Sequence, residues 1–277
     1  MLKKFIIILT LAVLFNFSFA CDDGVEINRC IEQQGLLVAD QMMLGTAQLI
    51  IDSEESTGLC TATAFEKEGK RYRFSTASHC VSEYNEETGE NILKKAEFSL
   101  VIEFSNQFKT YKPEIWAIGS RSKRQDFAIL EVVTEDNFPV IPLSTHAPRL
   151  RENISVVTNP TGLGNQIFDG YVSRPSIPVN LLVGEDNWLA NTLLQISGDF
   201  GSGQGASGSS IVSHIDNQTI AILIGGVGNK FGSTSVVVVP ISRFREFYKE
   251  AKIAREAMEL KMNSAQSCEI LPEEVVE

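Results

Sequence analysis

Histidine is scarce in this chain: His79, His146 and His214 are the only three in 277 residues. They lie far apart, and none of the five cysteines forms a Cys-x-x-Cys pair. Nothing therefore has the spacing of a metal-ligand cluster, and neither a metal nor another cofactor is expected. Positive charge is also short, with 24 Lys and Arg against 35 Asp and Glu. An acidic surface repels phosphate backbones, which argues against a nucleic-acid partner. The apolar stretch from Phe5 to Phe15 falls short of the roughly 20 residues a membrane-crossing helix needs, so no membrane span is expected. No long helical pattern alternates with the strand-like runs, which argues against a parallel α/β sheet.

The first twenty residues differ from the rest. Lys3 and Lys4 precede the apolar stretch, which only Thr10 interrupts, and Ser18-Phe19-Ala20 supplies small residues before a cut. This is the pattern of an export signal over residues 1–20, removed after Ala20. The mature chain would carry 22 basic against 35 acidic residues and be secreted or held in the periplasm or cell envelope. Export favours disulfides. Five cysteines remain (Cys21, Cys30, Cys60, Cys80 and Cys268), so one stands apart. Cys21 would then be the first residue. Three readings stay open for it: a lipid anchor, although no Leu sits three residues before it; a spare thiol; or a pair with Cys30.

Residues 21–44 have no clear period and read as an extension or propeptide. From Gly45 onward, short β-rich runs alternate with polar turns. One set, over 45–148, includes Cys60-Thr61-Ala62-Thr63-Ala64-Phe65 and Phe127-Ala128-Ile129-Leu130. A second, over 149–240, includes Ile154-Ser155-Val156-Val157 and Ile220-Ala221-Ile222-Leu223-Ile224. Such spacing indicates an all-β sandwich or barrel. Residues 241–265 favour a helix, with Ser242 as its cap and an apolar face formed by Ile241, Phe244, Tyr248, Ala251 and Met258. An acidic tail, 266–277, follows.

Three segments carry chemistry: Thr76-Ala77-Ser78-His79-Cys80, Asp126-Phe127-Ala128-Ile129-Leu130, and Gly205-Ala206-Ser207-Gly208-Ser209. Each is weak alone, but together they give His, Asp and Ser in one order, 47 and 81 residues apart. A serine hydroxyl is a poor nucleophile until a base removes its proton. Histidine can do so near neutral pH and return the proton to a leaving amine. A buried carboxylate holds the imidazole in the right tautomer. Small residues around the serine let the chain turn tightly and aim backbone N–H groups at an oxyanion.

These segments resemble those of the chymotrypsin-like serine proteases, and the secreted bacterial members in particular: TASHC their histidine segment, DFAIL their aspartate strand, GASGS their nucleophile loop. The resemblance covers roughly residues 45–250. It implies an all-β fold of two antiparallel six-stranded β-barrels, chymotrypsin-like, with a C-terminal helix, acting as a monomer on a protein or peptide substrate. It implies Ser207 as nucleophile, His79 as general base and acid, Asp126 as its orienting carboxylate, and the N–H groups of Gly205 and Ser207 as oxyanion hole. It also implies a Cys60–Cys80 disulfide; the pairing of Cys21, Cys30 and Cys268 stays open, Cys30–Cys268 being one choice. The substrate pocket would be lined by Gly201 and Ser202 and by Gly225 and Gly226. No charge lies there, so a neutral or apolar side chain is expected before the scissile bond.

Two positions depart from the family pattern: Ala206, where Asp or Asn is usual, and Ser210, where Pro is common. Ala206 supports an alternative, a catalytically inactive barrel that binds peptide or protein partners. The run from Gly201 to Ala206 also fits a G-x-G-x-x-A dinucleotide signature, but it lies late in the chain and β-rich segments follow it. His146 lies in a linker between the two strand sets and His214 near a hairpin, so neither is expected to be catalytic.

Overall fold

A computed structural model of the chain describes residues 38–85, 87–104, 107–162, 164–176, 194–198, 205–226 and 235–268. Residues 1–20, expected to be an export signal, Cys21 and Cys30, the expected pocket residues Gly201 and Ser202, and positions 269–277 lie outside these.

Among the described residues the first half contributes nine strands: β1 (Thr46–Asp52), β2 (Thr57–Glu68), β3 (Arg71–Thr76), β4 (Ser82–Asn85), β5 (Glu90–Leu93), β6 (Glu97–Phe104), β7 (Gln107–Tyr111), β8 (Glu114–Ile118) and β9 (Ala128–Val133). Seven of them form one sheet in the order β7-β6-β1-β2-β3-β9-β8, and β4 and β5 pair as a separate hairpin. The pairings in both are antiparallel. Every second residue of β1 (Ala47, Leu49, Ile51) is buried, as the two-residue period of a strand requires. These side chains pack on Ala62, Phe74 and Leu100 from neighbouring strands.

The second half contributes β10 (Asn153–Thr158), β11 (Gln166–Arg174), β12 (Leu194–Gly198), β13 (Ser210–Ser213), β14 (Thr219–Gly226) and β15 (Ser235–Pro240). These six close into a barrel in the order β10-β11-β12-β15-β14-β13. Its interior is filled by Ile154, Val156, Val172, Leu194, Ile196, Ile211 and Val238.

The expectation of two six-stranded barrels therefore holds for the second half only. In the first half the sheet has seven strands, and no pairing among the described residues joins its edge strands β7 and β8. Closure depends on strand tilt and stagger, which a pattern of alternating residues does not encode.

The C-terminal helix is as expected in place and longer in extent, running from Ile241 to Cys268. Ser242 is inside the helix, not its cap, because Pro240 still pairs with Ala221 and the strand runs straight into the first turn. Ile241, Phe244, Phe247, Tyr248 and Ala251 pack on Phe65, Trp116 and Phe127. Met258, expected on that face, is 65% exposed. The helix has by then outrun the strands it packs against.

The same face carries a polar tie. Arg73 donates to Glu131, to the hydroxyl of Tyr248 and to Glu66, its closest ion-pair partner, and lies 5.0 Å from the Trp116 ring. It anchors the helix to β3, the strand that leads into the histidine segment.

Candidate active site

Thr76, the last residue of β3, pairs with Ala128, the first of β9. The chain beyond both strand ends therefore leaves the sheet at the same place. On one side a single helical turn, α1 (Ser78–Val81), carries His79. On the other, Asp126 precedes Ala128 by two residues. The arrival of Asp126 is shaped by Gly119, whose N–H donates to the Phe127 carbonyl at 2.7 Å. A Cβ at Gly119 would stand 2.5 Å from the Gln125 carbonyl oxygen, so only glycine fits. Phe127 is braced from behind by Phe244, with ring centroids 5.4 Å apart in an edge-to-face contact.

The two side chains meet. His79 Nδ1 lies 2.8 Å from Asp126 Oδ2. The His79 backbone N–H donates to Asp126 Oδ1 at 3.0 Å, and the Ser78 hydroxyl donates to the same oxygen at 2.7 Å. Asp126 is only 6% exposed. Burial pushes its carboxyl pKa up, but His79 first and Ser78 after it outweigh burial, and the pKa is held below the ordinary aspartate value. A carboxylate on Nδ1 leaves the other ring nitrogen to work as a base. The His79 side chain is 45% exposed and turned to the solvent side of the turn.

The expected disulfide is present. Cys60 of β2 is bonded to Cys80, the residue after His79, with Cα atoms 6.3 Å apart. Both sulfurs and a His79 nitrogen lie within 4.8 Å of one another, a grouping that resembles a metal site. The two sulfurs are bonded to each other, however, and do not offer thiolate ligands.

The serine segment is a tight turn pinned to β2 beside that disulfide. The Thr61 N–H donates to the Ser207 carbonyl at 2.8 Å, and the Thr61 hydroxyl donates to the Gly205 carbonyl at 2.6 Å. Gly208 N–H donates to the Leu223 carbonyl at 2.7 Å. Gly205 and Gly208 have φ of 102° and 92°, conformations in which a side chain is strained. A Cβ on Gly208 would also meet the Thr61 carbonyl oxygen at 2.1 Å. Among the described residues, the N–H groups of Gly205 and Ser207 donate to no backbone carbonyl.

Ala206 is 2% exposed and belongs to the apolar interior of the second barrel. Its methyl group fits where an aspartate would place an uncompensated charge. The departure at Ser210 falls at the first residue of β13, paired with Ile222.

His79, Gly205 and Ser207 line one cleft of about 960 Å3, together with Leu59, Ile92 and Leu93. Of the expected pocket residues, Gly225 and Gly226 lie in β14 beside Val237 and Val236 of β15. The other two histidines sit elsewhere. His146 is held between Glu152 and Asp216, and His214 Nε2 lies 2.7 Å from the Ser155 hydroxyl. Sequence reasoning missed the roles of Ser78, Thr61 and Gly119, and placed Phe244 only on the apolar face of the helix. Ser78 and Thr61 stand beside residues it did single out, His79 and Cys60, but their contacts lie far off in the chain.

Against known families, residues 60–222 match the trypsin-like peptidase domain. The fold is similar to the serine endoprotease from Yersinia pestis, with a TM-score of 0.54 and 16% identity, covering 77% of this chain. The chain spans 65% of that protein's length. It is also similar to the Rv3671c protease from M. tuberculosis in its active form, with a TM-score of 0.56 and 14% identity over 76% of this chain and 81% of that one. No curated protein sequence matches.

Proposed function

Because this chain belongs to the trypsin-like peptidase domain family, we propose that it is an exported serine endopeptidase that cleaves peptide bonds through an acyl-enzyme on Ser207. The observation that carries this reading is the hydrogen bond between Asp126 and His79, at a ring whose cleft also holds Ser207.

In this mechanism Ser207 Oγ attacks the scissile carbonyl carbon while His79 takes its proton. The C–O bond forms, the carbonyl π pair moves to oxygen, and the N–H groups of Gly205 and Ser207 meet the oxyanion. Collapse of the intermediate breaks the C–N bond, and His79 gives its proton to the leaving amine. Water then attacks the ester by the same route and releases Ser207. Asp126, already fixed by three donors, stabilises the imidazolium in both halves.

Two further features fit this reading. The Cys60–Cys80 bond suits an oxidising compartment, in line with export through residues 1–20. The absence of charge at Gly201 and Ser202 favours a neutral or apolar side chain before the scissile bond. Purified chain beginning at Cys21 is expected to fragment casein, and Ser207→Ala to leave it intact. Equal fragmentation by both would overturn the proposal.

A further inference from the structure

We infer that Ser78 is a positioning residue for the catalytic pair: its hydroxyl holds one oxygen of Asp126 so that the other faces His79. This rests on the protease reading above.

Ser78 is 4% exposed and its hydroxyl points at Asp126 Oδ1, 2.7 Å away. Among the described residues, that contact is the hydroxyl's one hydrogen bond. Asp126 is 6% exposed, so water contributes little to its solvation. Oδ1 has two donors, the Ser78 hydroxyl and the His79 backbone N–H, while Oδ2 faces the imidazole. The backbone donor comes from the same residue as the ring it orients and moves with it. Ser78 supplies the second point that stops the carboxylate turning about its own axis. Its position is secured in turn, since the Ser78 carbonyl accepts from the Ser82 hydroxyl at 2.8 Å and the neighbouring Cys80 is bonded to β2.

A hydrogen-bond donor also draws charge away from the carboxylate. Without Ser78, more negative charge faces the imidazolium, which is then held more tightly and gives up its proton at higher pH. The role thus has a signature that simple loss of packing lacks: the acid limb of the rate profile moves up.

The test uses a fluorophosphonate probe and follows labelling of Ser207 by mass, from pH 5 to 9, in the intact disulfide-bonded protein. Ser78→Ala is expected to lower the maximal labelling rate constant about tenfold with the probe concentration for half-maximal rate unchanged. It is also expected to shift the acid limb to higher pH, and Ser78→Thr to restore both. A Ser78→Ala protein that labels at the wild-type rate, or more slowly with the limb unmoved, would overturn the inference alone. A wild-type protein that never labels would overturn the protease reading and this inference with it.

Discussion

Thr61 and Ser207 belong to different halves of the molecule, and the N–H of Thr61 donates to the carbonyl of Ser207 at 2.8 Å. The Thr61 hydroxyl adds a bond to the Gly205 carbonyl at 2.6 Å and accepts from the Asn159 N–H at 3.2 Å. One residue of β2 therefore holds the serine turn against the strand whose cysteine is tied to the histidine segment. Ser207 and His79, the proposed nucleophile and base, are linked through a short covalent and hydrogen-bonded path, Ser207 to Thr61 to Cys60 to Cys80 to His79.

Replacing Thr61 with Val keeps the shape and removes the hydroxyl, leaving the Gly205 carbonyl and the Asn159 N–H without that partner. Buried groups left so cost about 1–3 kcal/mol each. The urea midpoint is expected to fall by the equivalent of about 2 kcal/mol. The rate constant for casein cleavage is expected to fall as well, because the turn carrying Ser207 loses one of its supports. An unchanged rate in a folded Thr61→Val protein would show that the turn holds itself.

Ala206 gives a second prediction. Because its side chain lies in the apolar interior of the second barrel, Ala206→Asp, which restores the residue common in the family, should weaken the fold rather than improve the enzyme. A buried carboxylate without a partner costs several kcal/mol or takes up a proton. The variant is expected to unfold at much lower urea than the wild type, and its loss of stability to shrink toward low pH as the new carboxyl is protonated. Wild-type stability at neutral pH would mean that a compensating partner exists there.

The serine, histidine and aspartate segments stood out in the sequence because that chemistry restricts the residue types and the family restricts their order, and the structure brings His79 and Asp126 into contact. The disulfide was legible for the same reason. Other features were not, each for a physical reason. Ala206 read as a departure until its burial was visible, because the direction of one side chain in a turn is not written in its neighbours. Thr61 and Ser78 act through contacts to residues far off in the chain, so nothing local marks them. Met258 continues the helical stripe of Phe244 and Tyr248, but the stripe says nothing of where the supporting strands end. The seven-strand sheet of the first half arises from pairings between distant strands, such as β1 with β6.

His146 predicts a pH dependence of stability separate from catalysis. Its Nε2 lies 2.8 Å from Glu152 Oε1 and its Nδ1 3.0 Å from Asp216 Oδ2. Ser144 donates to Asp216, Ser213 to Glu152, and the Arg149 N–H to the second Glu152 oxygen. Burial lowers the His146 pKa, but Glu152 and then Asp216 outweigh it, and the pKa is raised above the ordinary 6.5. A group whose folded pKa is raised contributes stability that is full below the unfolded value and is lost as pH rises through the folded one. The clasp joins the linker between the two halves to the second barrel. His146→Asn should therefore cost most near pH 5.5 and progressively less above pH 6.5, as read from urea midpoints across that range. A cost that grows with pH would contradict this assignment.

The central claim is that Ser207 is activated by His79 and Asp126. Intact mass after treatment with a fluorophosphonate measures this most directly, on the chain beginning at Cys21 and on its Ser207→Ala and His79→Ala variants. The account predicts one adduct on the wild type, none on Ser207→Ala, and labelling slowed by several orders of magnitude on His79→Ala. A folded wild type that takes no adduct, or a Ser207→Ala protein that takes one, would contradict it.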